Sequence, residues 1–350
     1  MTDTRSIYDL NRDELKQHVI GMGEPAFRAE QIWQWLYKHY VADFKSMTNL
    51  PETFREKLGT GLQFPNPDIA AEKRSSDEHT EKILFRLPDG IFIETVLMQY
   101  DKRRTLCIST QAGCAMGCVF CATGQMGFER NLSVGEIVHQ VLFFARRLDK
   151  VDDRVTNVVV MGMGEPLHNY DNTMMAVDTL TDPAGFKLGA RKITISTVGL
   201  VPAIRRFADE KRQTRLAISL HAASDTDRNK LIPVGKRWPI AELMEAARYY
   251  ILQTGRRITF EWALINMEND AQEDARRLGS LLQGMLCHVN LIPLNPTKDY
   301  GGQPSPRSRV TIFQKELERF GVSSTVRVRR GLDIQAGCGQ LRDRIVRGSS

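Results

Sequence analysis

Short apolar runs rich in β-branched residues alternate with stretches of helix length from Arg104 onward. This alternation is typical of βα units that build a parallel sheet. The predicted strands lie near residues 104–110, 155–161, 191–197, 214–220, 257–264 and 287–292. Six such units predict an α/β fold of the partial (β/α)6 barrel class, whose reactive groups lie at the carboxyl ends of the strands.

The chain before and after the barrel has a different pattern. The predicted domains are a small helical accessory domain at residues 1–60, a hairpin and linker at 61–103, the barrel at 104–300 and a basic C-terminal segment at 301–350. Asn11 is placed to cap the first helix, and a second helix is expected over residues 27–40. Ser133, with Glu136 three residues later, is placed to cap the first helix of the barrel.

Composition limits the class of protein. The 350 residues are 42% hydrophobic and 26% charged, which is ordinary for a globular chain. No apolar run approaches the roughly 18 residues that a membrane helix needs, and the first residues do not resemble a signal peptide, so a cytoplasmic protein without a membrane partner is expected. Six cysteines in such a chain favour metal binding or redox chemistry over structural disulfides.

The positive charge is concentrated near the C-terminus. The formal net charge is +6, and residues 301–350 alone carry ten Lys or Arg against four acids. Such a segment fits either contact with a phosphate backbone or a solvated surface, and charge alone does not decide between them. Trp33, Trp35 and Tyr37 could stack on RNA bases, but their helical spacing favours packing for most of them.

Three cysteines follow the first predicted barrel strand at C-x₃-C-x₂-C spacing: Cys114, Cys118 and Cys121. A 4Fe-4S cluster normally takes one thiolate per iron, so three thiolates leave one iron open for chemistry. A zinc site with a distant fourth ligand is the alternative. The position of the loop after a strand places it at the reactive end of the barrel.

A glycine-rich segment from Met161 to Pro166 closes the second predicted strand. Its glycines could let the backbone approach a ligand, and Glu165 could accept hydrogen bonds from an ammonium group. A dinucleotide-binding fingerprint is disfavoured, because Gly162-x-Gly164 lacks the third glycine and follows the second strand rather than the first.

Together these motifs resemble the RlmN/Cfr family of radical S-adenosylmethionine (SAM) RNA methyltransferases. The resemblance spans nearly the whole chain and rests on residues 113–131, 161–172, 196–199, 219–222, 295–296 and 336–341. It implies a 4Fe-4S cluster on Cys114, Cys118 and Cys121. It implies SAM contacts from Gly164, Glu165, Ser196, Ser219, Leu220, His221 and Asn295.

The chemistry of the family explains why radicals are needed. C2 of adenine lies between two ring nitrogens and is too electron-poor to attack a methyl sulfonium. In the family mechanism, one SAM methylates a cysteine, which the resemblance assigns to Cys338, and a second SAM yields a 5′-deoxyadenosyl radical that takes hydrogen from the S-methyl group. The methylene radical adds to C2, Cys107 forms a transient disulfide with Cys338, and Glu94 accepts the C2 proton.

The implied substrates are an adenosine in the peptidyl-transferase region of 23S rRNA and an adenosine beside the anticodon of certain tRNAs. A low-potential electron donor of the flavodoxin or ferredoxin type is also implied. A Cfr-type enzyme methylates C8 of the same rRNA adenosine with the same cysteines, although Pro166 and the helical N-terminal region favour C2. A non-catalytic RNA-binding protein with structural zinc is the alternative from another class.

Some residues of this set have simpler interpretations when taken alone. Cys107 in its apolar strand would be a small buried hydrophobe, and Glu94 would be an outward-facing strand residue. Cys338 lies in a glycine-flanked loop, which predicts an accessible thiol. Cys287 has no family role and is expected to lie in the core.

Overall fold

The computed structural model describes residues 5–341. Its strands are β1 (Arg5–Ser6), β2 (Leu62–Gln63), β3 (Asp68–Arg74), β4 (Thr80–Arg86), β5 (Phe92–Tyr100), β6 (Arg103–Cys107), β7 (Gln111–Gly113), β8 (Phe128–Asn131), β9 (Asn157–Val160), β10 (Ile193–Thr197), β11 (Arg215–Ser219), β12 (Ile258–Leu264), β13 (Cys287–Pro293) and β14 (Ser324–Val326). Its helices are α1 (Arg12–Gly21), α2 (Phe27–Tyr37), α3 (Glu52–Gly61), α4 (Ala122–Met126), α5 (Val134–Asp149), α6 (Tyr170–Thr181), α7 (Val201–Asp209), α8 (Asp225–Leu231), α9 (Ile240–Thr254), α10 (Gln272–Leu282) and α11 (Arg307–Arg319). Residues 342–350 of the predicted basic segment lie outside the described residues.

One ten-stranded sheet, with the order β14-β13-β12-β11-β10-β9-β6-β5-β4-β3, forms the centre of the molecule. Strands β6 and β9 to β14 run parallel, which confirms the six predicted barrel strands and the α/β class. β14 was not predicted, because three residues are too few to carry a periodic pattern. The predicted hairpin is β4–β5, and β5 pairs antiparallel with β6, so the hairpin extends the barrel sheet.

Local sequence signals start the helices where they were expected. Asn11 and Glu14 form a reciprocal capping box at the start of α1, and Ser133 and Glu136 form another at the start of α5. Each box satisfies two backbone N–H groups that the first turn of a helix leaves without partners. The second helix ends at Tyr37, three residues before the predicted end.

The N-terminal helices pack directly on the barrel. Trp33 and Tyr37 are buried in the same apolar core as the barrel residues, which confirms the packing interpretation for both. The guanidinium of Arg146 on α5 donates to the Tyr8 hydroxyl at 2.9 Å and to the Tyr40 carbonyl at 2.7 Å. The N-terminal region is therefore held to the first barrel helix by both apolar contacts and hydrogen bonds.

Among residues 5–341, no helix is both long enough and apolar enough to span a bilayer.

Candidate active site

The cysteine loop begins at a tight crossing of β7 and β8. The backbone N–H of Cys114 donates to the Gly127 carbonyl at 2.7 Å. Gly113 has φ +72°, and a Cβ there would lie 2.0 Å from the same carbonyl oxygen, so only glycine fits. Cys121 then caps the short helix α4, and the loop returns its three cysteines to one region at the carboxyl end of β6.

The three thiols lie close enough to affect one another. Burial raises the pKa of Cys114 to about 12, and it raises the pKa values of Cys118 and Cys121 as well. Each of Cys114 and Cys118 also has its pKa raised by the nearby Cys121. A buried thiol binds metal by losing its proton. The positive charge of the metal then offsets the cost of burying the thiolate.

This donor set fits a cluster better than a single ion. A cube carries each thiolate on a different iron, whereas structural zinc gathers four ligands around one ion. Within residues 5–341 there is no group of three or more His, Cys, Asp or Glu side chains that could hold a metal ion. Neither a zinc site nor the three cysteines are therefore preassembled around a metal position within residues 5–341, and the preference for a cluster rests on the number and spacing of the thiols.

A pocket opens beside the cysteine loop at the carboxyl ends of β9 to β12. Its empty space, including the part open to solvent, is about 890 Å³. The pocket is lined by the cluster candidates Cys118 and Cys121, by the SAM candidates Gly164, Glu165, Ser196, Ser219, His221 and Asn295, and by Cys338. Residues spread over 220 positions of sequence therefore share one cavity because parallel strands end at the same edge.

Leu220 is the predicted SAM contact that does not line this pocket. Its side chain is fully buried. Its N–H donates to the Glu261 carbonyl at 3.0 Å, and its own carbonyl accepts from Ala222 at 2.8 Å. Both backbone groups are thus engaged within the protein, and a SAM contact by Leu220 stays a prediction without a supporting contact.

The glycines of the Met161–Pro166 segment are required by close packing on the side where a Cβ would lie. A Cβ on Gly162 would lie 2.6 Å from the Ile108 carbonyl carbon, and one on Gly164 would lie 2.5 Å from Cβ of Gln111. Gly164 also has φ +104°. Both glycines also line the pocket, so an approach of their backbone to a ligand stays a prediction.

Glu165 is a buried carboxylate fixed by backbone donors. One oxygen accepts from Leu167 N–H at 2.9 Å, and the other accepts from Val198 N–H at 2.9 Å. Burial raises the pKa of this carboxyl to about 7, although the two hydrogen bonds oppose the shift. A cation arriving in the pocket would stabilise the ionised form, so Glu165 suits an ammonium ligand.

His221 presents a defined tautomer. Its Nδ1 accepts from Ala263 N–H at 2.8 Å, so the proton of the neutral ring is on Nε2. Burial lowers the pKa of His221 to about 3, which keeps the ring neutral. The residue has φ +58°, an uncommon conformation for a non-glycine residue that often marks functional positions.

Two buried oxygens at the pocket have no hydrogen-bond partner among the described residues. They are Oδ1 of Asn295 and Oε1 of Glu261. The other amide atom of Asn295, Nδ2, donates to the Cys338 carbonyl at 3.0 Å. Unpaired buried acceptors are costly, so both oxygens are suited to a ligand with donor groups.

Sequence reasoning missed Glu261. It lies on β12 among apolar residues and is 2% exposed, and its side chain lines the pocket. A charged residue inside the apolar run Ile258–Leu264 was the available signal, because a buried strand rarely accepts an unpaired carboxylate.

The loop of Cys338 is tied to the cysteine loop. Ala122 N–H donates to the Gly339 carbonyl at 2.7 Å, and the Thr123 hydroxyl donates to the Leu341 carbonyl at 2.7 Å. The Cys338 side chain is exposed through the pocket mouth, as the sequence predicted. Desolvation by the surrounding protein nevertheless raises the pKa of the Cys338 thiol to about 11.

Cys107 lies at the end of β6, next to the Cys338 thiol but outside the lining of the pocket. Burial and, to a smaller extent, the proximity of Cys338 raise the pKa of Cys107 to about 12. The Arg327 guanidinium lowers the pKa of both thiols. The structure thus brings two thiols that are far apart in sequence close together beside one cation.

Glu94 is buried, which corrects the simple interpretation of an outward-facing strand residue. It is 3% exposed on β5, and its carboxylate pairs with the ammonium of Lys82 at 2.8 Å. Lys82 also donates to the Gln335 carbonyl at 3.1 Å. Lys82, which sequence reasoning missed, links Glu94 to the segment that carries Cys338.

Cys287 is buried in the core as expected.

Comparison with known proteins agrees with this geometry. The family "Ribosomal RNA large subunit methyltransferase N-terminal domain" matches residues 6–62, and "Radical SAM superfamily" matches residues 108–278. The chain is 51% identical, over 98% of its length and 96% of the other protein, to "Dual-specificity RNA methyltransferase RlmN 1" of Myxococcus xanthus (strain DK1622). The crystal structure of a radical SAM methyltransferase from Sphaerobacter thermophilus is 48% identical, with a TM-score of 0.94 over 97% of this chain and 99% of that one. This chain belongs to the RlmN family of RNA methyltransferases within the radical SAM superfamily, and it has the partial (β/α)6 barrel, 4Fe-4S cluster and SAM of that superfamily.

Proposed function

We propose that this enzyme methylates C2 of an adenosine in 23S rRNA, and of an adenosine beside the anticodon of tRNA, through methylated Cys338 and a transient disulfide with Cys107. The observation that carries the proposal is the proximity of Cys107 to Cys338, which lines a pocket that also contains Cys118 and Cys121. Because RNA substrates of this kind lie in the cytoplasm, we assign the reaction to that compartment.

We assign Cys114, Cys118 and Cys121 as the cluster ligands and Gly164, Glu165, Ser196, Ser219, His221 and Asn295 as residues that hold SAM. Leu220 is retained only through the resemblance. When bound, the cluster and SAM supply the methyl group and the 5′-deoxyadenosyl radical. The electrons are proposed to come from a low-potential donor of the flavodoxin or ferredoxin type.

The two catalytic thiols have different positions and therefore different roles. Cys338 lines the pocket, so its sulfur can take the methyl carbon and later carry that carbon to C2 of the base. Cys107 is close to Cys338 but outside the pocket lining, so we assign to its sulfur the attack on the Cys338 sulfur that breaks the bond between that sulfur and the carbon. Before this attack the adduct must lose its unpaired electron, which the oxidised cluster would accept. The sulfur–sulfur bond then replaces the sulfur–carbon bond, and the carbon keeps the electron pair and takes up a proton to become the methyl group of the free RNA product.

The proton on C2 must leave before the ring regains aromaticity, and we assign its acceptor as Glu94. Lys82 holds Glu94 at 2.8 Å, and a paired ammonium favours the ionised carboxylate that a base requires. Because Lys82 also binds the Gln335 carbonyl, the base and the Cys338 loop are positioned by one side chain.

The site of methylation tests the proposed function. We expect methyl at C2 of the target adenosine when purified enzyme, SAM and a reductant act on unmodified 23S rRNA, as mapped by mass spectrometry of RNA fragments. The matched control is the same RNA with enzyme whose cluster has been removed by a chelator. Methyl at C8 with C2 unmodified would instead identify a Cfr-type enzyme, and no methyl at either carbon would contradict the proposal.

The raised pKa of Glu165 predicts a pH dependence of SAM binding. The carboxyl must be ionised to pair with the SAM ammonium, and its pKa in the free protein is about 7. Affinity should thus be greatest between pH 7 and about pH 8, where the SAM α-ammonium begins to lose its own proton, and it should fall by up to about tenfold for each pH unit below pH 7 because protons compete with the cation. Calorimetric titration of the oxidised holoenzyme with SAM between pH 6 and 8.5 measures this.

The control for this titration is Glu165→Gln, which keeps the shape of the side chain but cannot ionise. Its SAM affinity should be weaker than that of the parent enzyme at pH 8 by about 10- to 100-fold, the usual value of a hydrogen bond to a charged group. Its affinity should also lack the decrease below pH 7. An unchanged pH dependence in Glu165→Gln would assign the titration to another group.

A further inference from the structure

A second cavity shares Cys338, Asn295 and Ile292 with the SAM pocket. Its remaining walls come from the end of β5 and from the segment that follows β14, and its empty space is about 370 Å³. Because Cys338 borders both cavities, it can be approached from the SAM pocket and from a second side. The second cavity therefore marks a side from which RNA can reach the carrier thiol.

The rim of this cavity holds a tyrosine between two arginines. The guanidinium carbon of Arg103 lies 4.5 Å from the Tyr100 ring centroid, and that of Arg330 lies 4.6 Å from it. Arg103 and the neighbouring Arg329 are exposed, while Tyr100 and Arg330 are half-buried. We define Tyr100, Arg103, Arg329 and Arg330 as the arginine–tyrosine rim.

The rim carries more positive charge than its neighbours neutralise. Within it, Arg330 has one acidic contact, Asp77, at 3.8 Å, and that carboxylate is half-exposed. Nε of Arg330 is buried without a hydrogen-bond partner among the described residues. A guanidinium stacked on an aromatic face keeps its N–H edges free, and stacking restricts its rotation, so phosphate can be bound at a smaller entropic cost.

We infer that the arginine–tyrosine rim binds the backbone of the RNA strand that flanks the target adenosine, with Tyr100 acting as a positioning residue for Arg103 and Arg330. This inference rests on the proposed function, since it names the surface by which the same site takes RNA. Several arginines at the mouth of a cavity match the regular negative charge of a phosphate backbone. The base can then enter beside Cys338 while its flanking phosphates stay at the rim.

An acidic electron-transfer protein is the other partner that a positive surface could attract. RNA is favoured because Tyr100, Arg329 and Arg330 line the cavity that Cys338 also borders, and the Cys338 sulfur must reach the base. An electron carrier has no need to enter that cavity. A variant of the rim would lose RNA affinity if the partner is RNA, and it would lose electron transfer if the partner is the electron carrier. One set of experiments therefore separates the two partners.

The test measures binding of the oxidised holoenzyme to a fluorescent RNA stem-loop that contains the target adenosine, at several salt concentrations. In the double variant Arg103→Ala/Arg330→Ala, we expect affinity at low salt to fall about 10- to 100-fold. The slope of log Kd against log salt should become less steep by about 1 to 2, because up to two phosphate contacts are lost. Tyr100→Leu should weaken binding, whereas Tyr100→Phe should retain it.

Arg205→Ala is the matched control. Arg205 also stacks on a tyrosine, 5.3 Å from the Tyr249 ring centroid, and it also has an acidic partner at 3.8 Å, Glu245. It lies on α7, away from the rim, so its replacement should leave both affinity and salt slope unchanged. Iron content and the thermal unfolding midpoint of each variant confirm that it is folded.

Three results would overturn the inference while leaving the proposed function intact. One is an affinity and salt slope in the rim double variant equal to those of Arg205→Ala. Another is equal loss in Tyr100→Phe and Tyr100→Leu, which would remove the positioning role of the ring. The third is unchanged RNA binding with activity lost only when a flavodoxin replaces dithionite as reductant, which would assign the rim to the electron carrier. Absence of RNA methylation by the unmodified enzyme would contradict the proposed function itself.

Discussion

Replacement of Cys338 by Ala is expected to abolish methyl transfer to RNA while the protein keeps about four irons per chain. Cys338 lines the pocket and its loop carbonyls bind the cysteine loop through the backbone, so removing one sulfur leaves those hydrogen bonds in place. Without that sulfur, no atom can carry the methyl carbon to C2. The measurement is methylated RNA formed per hour by mass spectrometry, together with iron and zinc analysis after anaerobic purification.

Cys287→Ala is the control for this variant. Cys287 is a buried thiol on β13 outside both cavities, and its loss should reduce stability by about 1 kcal/mol without changing the methylation rate. Methylation by Cys338→Ala at the rate of the parent enzyme would contradict the carrier role. Stoichiometric zinc without iron in either protein would favour the non-catalytic RNA-binding alternative.

Replacement of Cys107 by Ala is expected to trap the enzyme on its RNA. After carbon transfer, the base is joined through one carbon to the Cys338 sulfur, and attack by Cys107 is the step that breaks this link. With an alanine at position 107, the covalent complex should accumulate to a large fraction of the enzyme and survive denaturation. A denaturing gel with labelled RNA, followed by mass analysis of the linked peptide, measures it.

The double variant Cys107→Ala/Cys338→Ala provides the control, because it lacks the sulfur that would form the link. It should yield no complex under the same conditions. If Cys107→Ala alone also yields none during turnover, then Cys107 does not resolve the adduct, and its place beside Cys338 needs another explanation. Arg327 lies beside both thiols. Both variants therefore change the surroundings of Arg327, and that change would not explain a complex that forms in only one of them.

The strands and helix starts were predictable because they depend on nearby residues. Apolar runs with β-branched residues become buried strands, and the boxes Asn11–Glu14 and Ser133–Glu136 satisfy backbone groups three residues away. β14 escaped prediction because its pairing with β13, not its own three residues, makes it a strand.

The site was predictable in part. The spacing of Cys114, Cys118 and Cys121 predicts their shared loop, since six intervening residues cannot separate them far. Glu94 could not be placed from its strand pattern, because alternation states only that neighbours face opposite sides. Its burial depends on Lys82, which lies on the paired strand and is a long-range partner.

Sequence alone determined the order of βα units, the helix caps and the cysteine loop, because these depend on interactions over a few residues and on the periodicity of apolar side chains. Tertiary structure decided which distant groups meet: Cys107 with Cys338, Lys82 with Glu94 and Gln335, and Tyr100 with Arg103 and Arg330. The physical reason is that strand register and loop closure set these distances, and both are properties of the folded sheet. The pairing of β5 with β6 and the return of the chain after β14 bring the carrier thiol, its partner and the basic rim together.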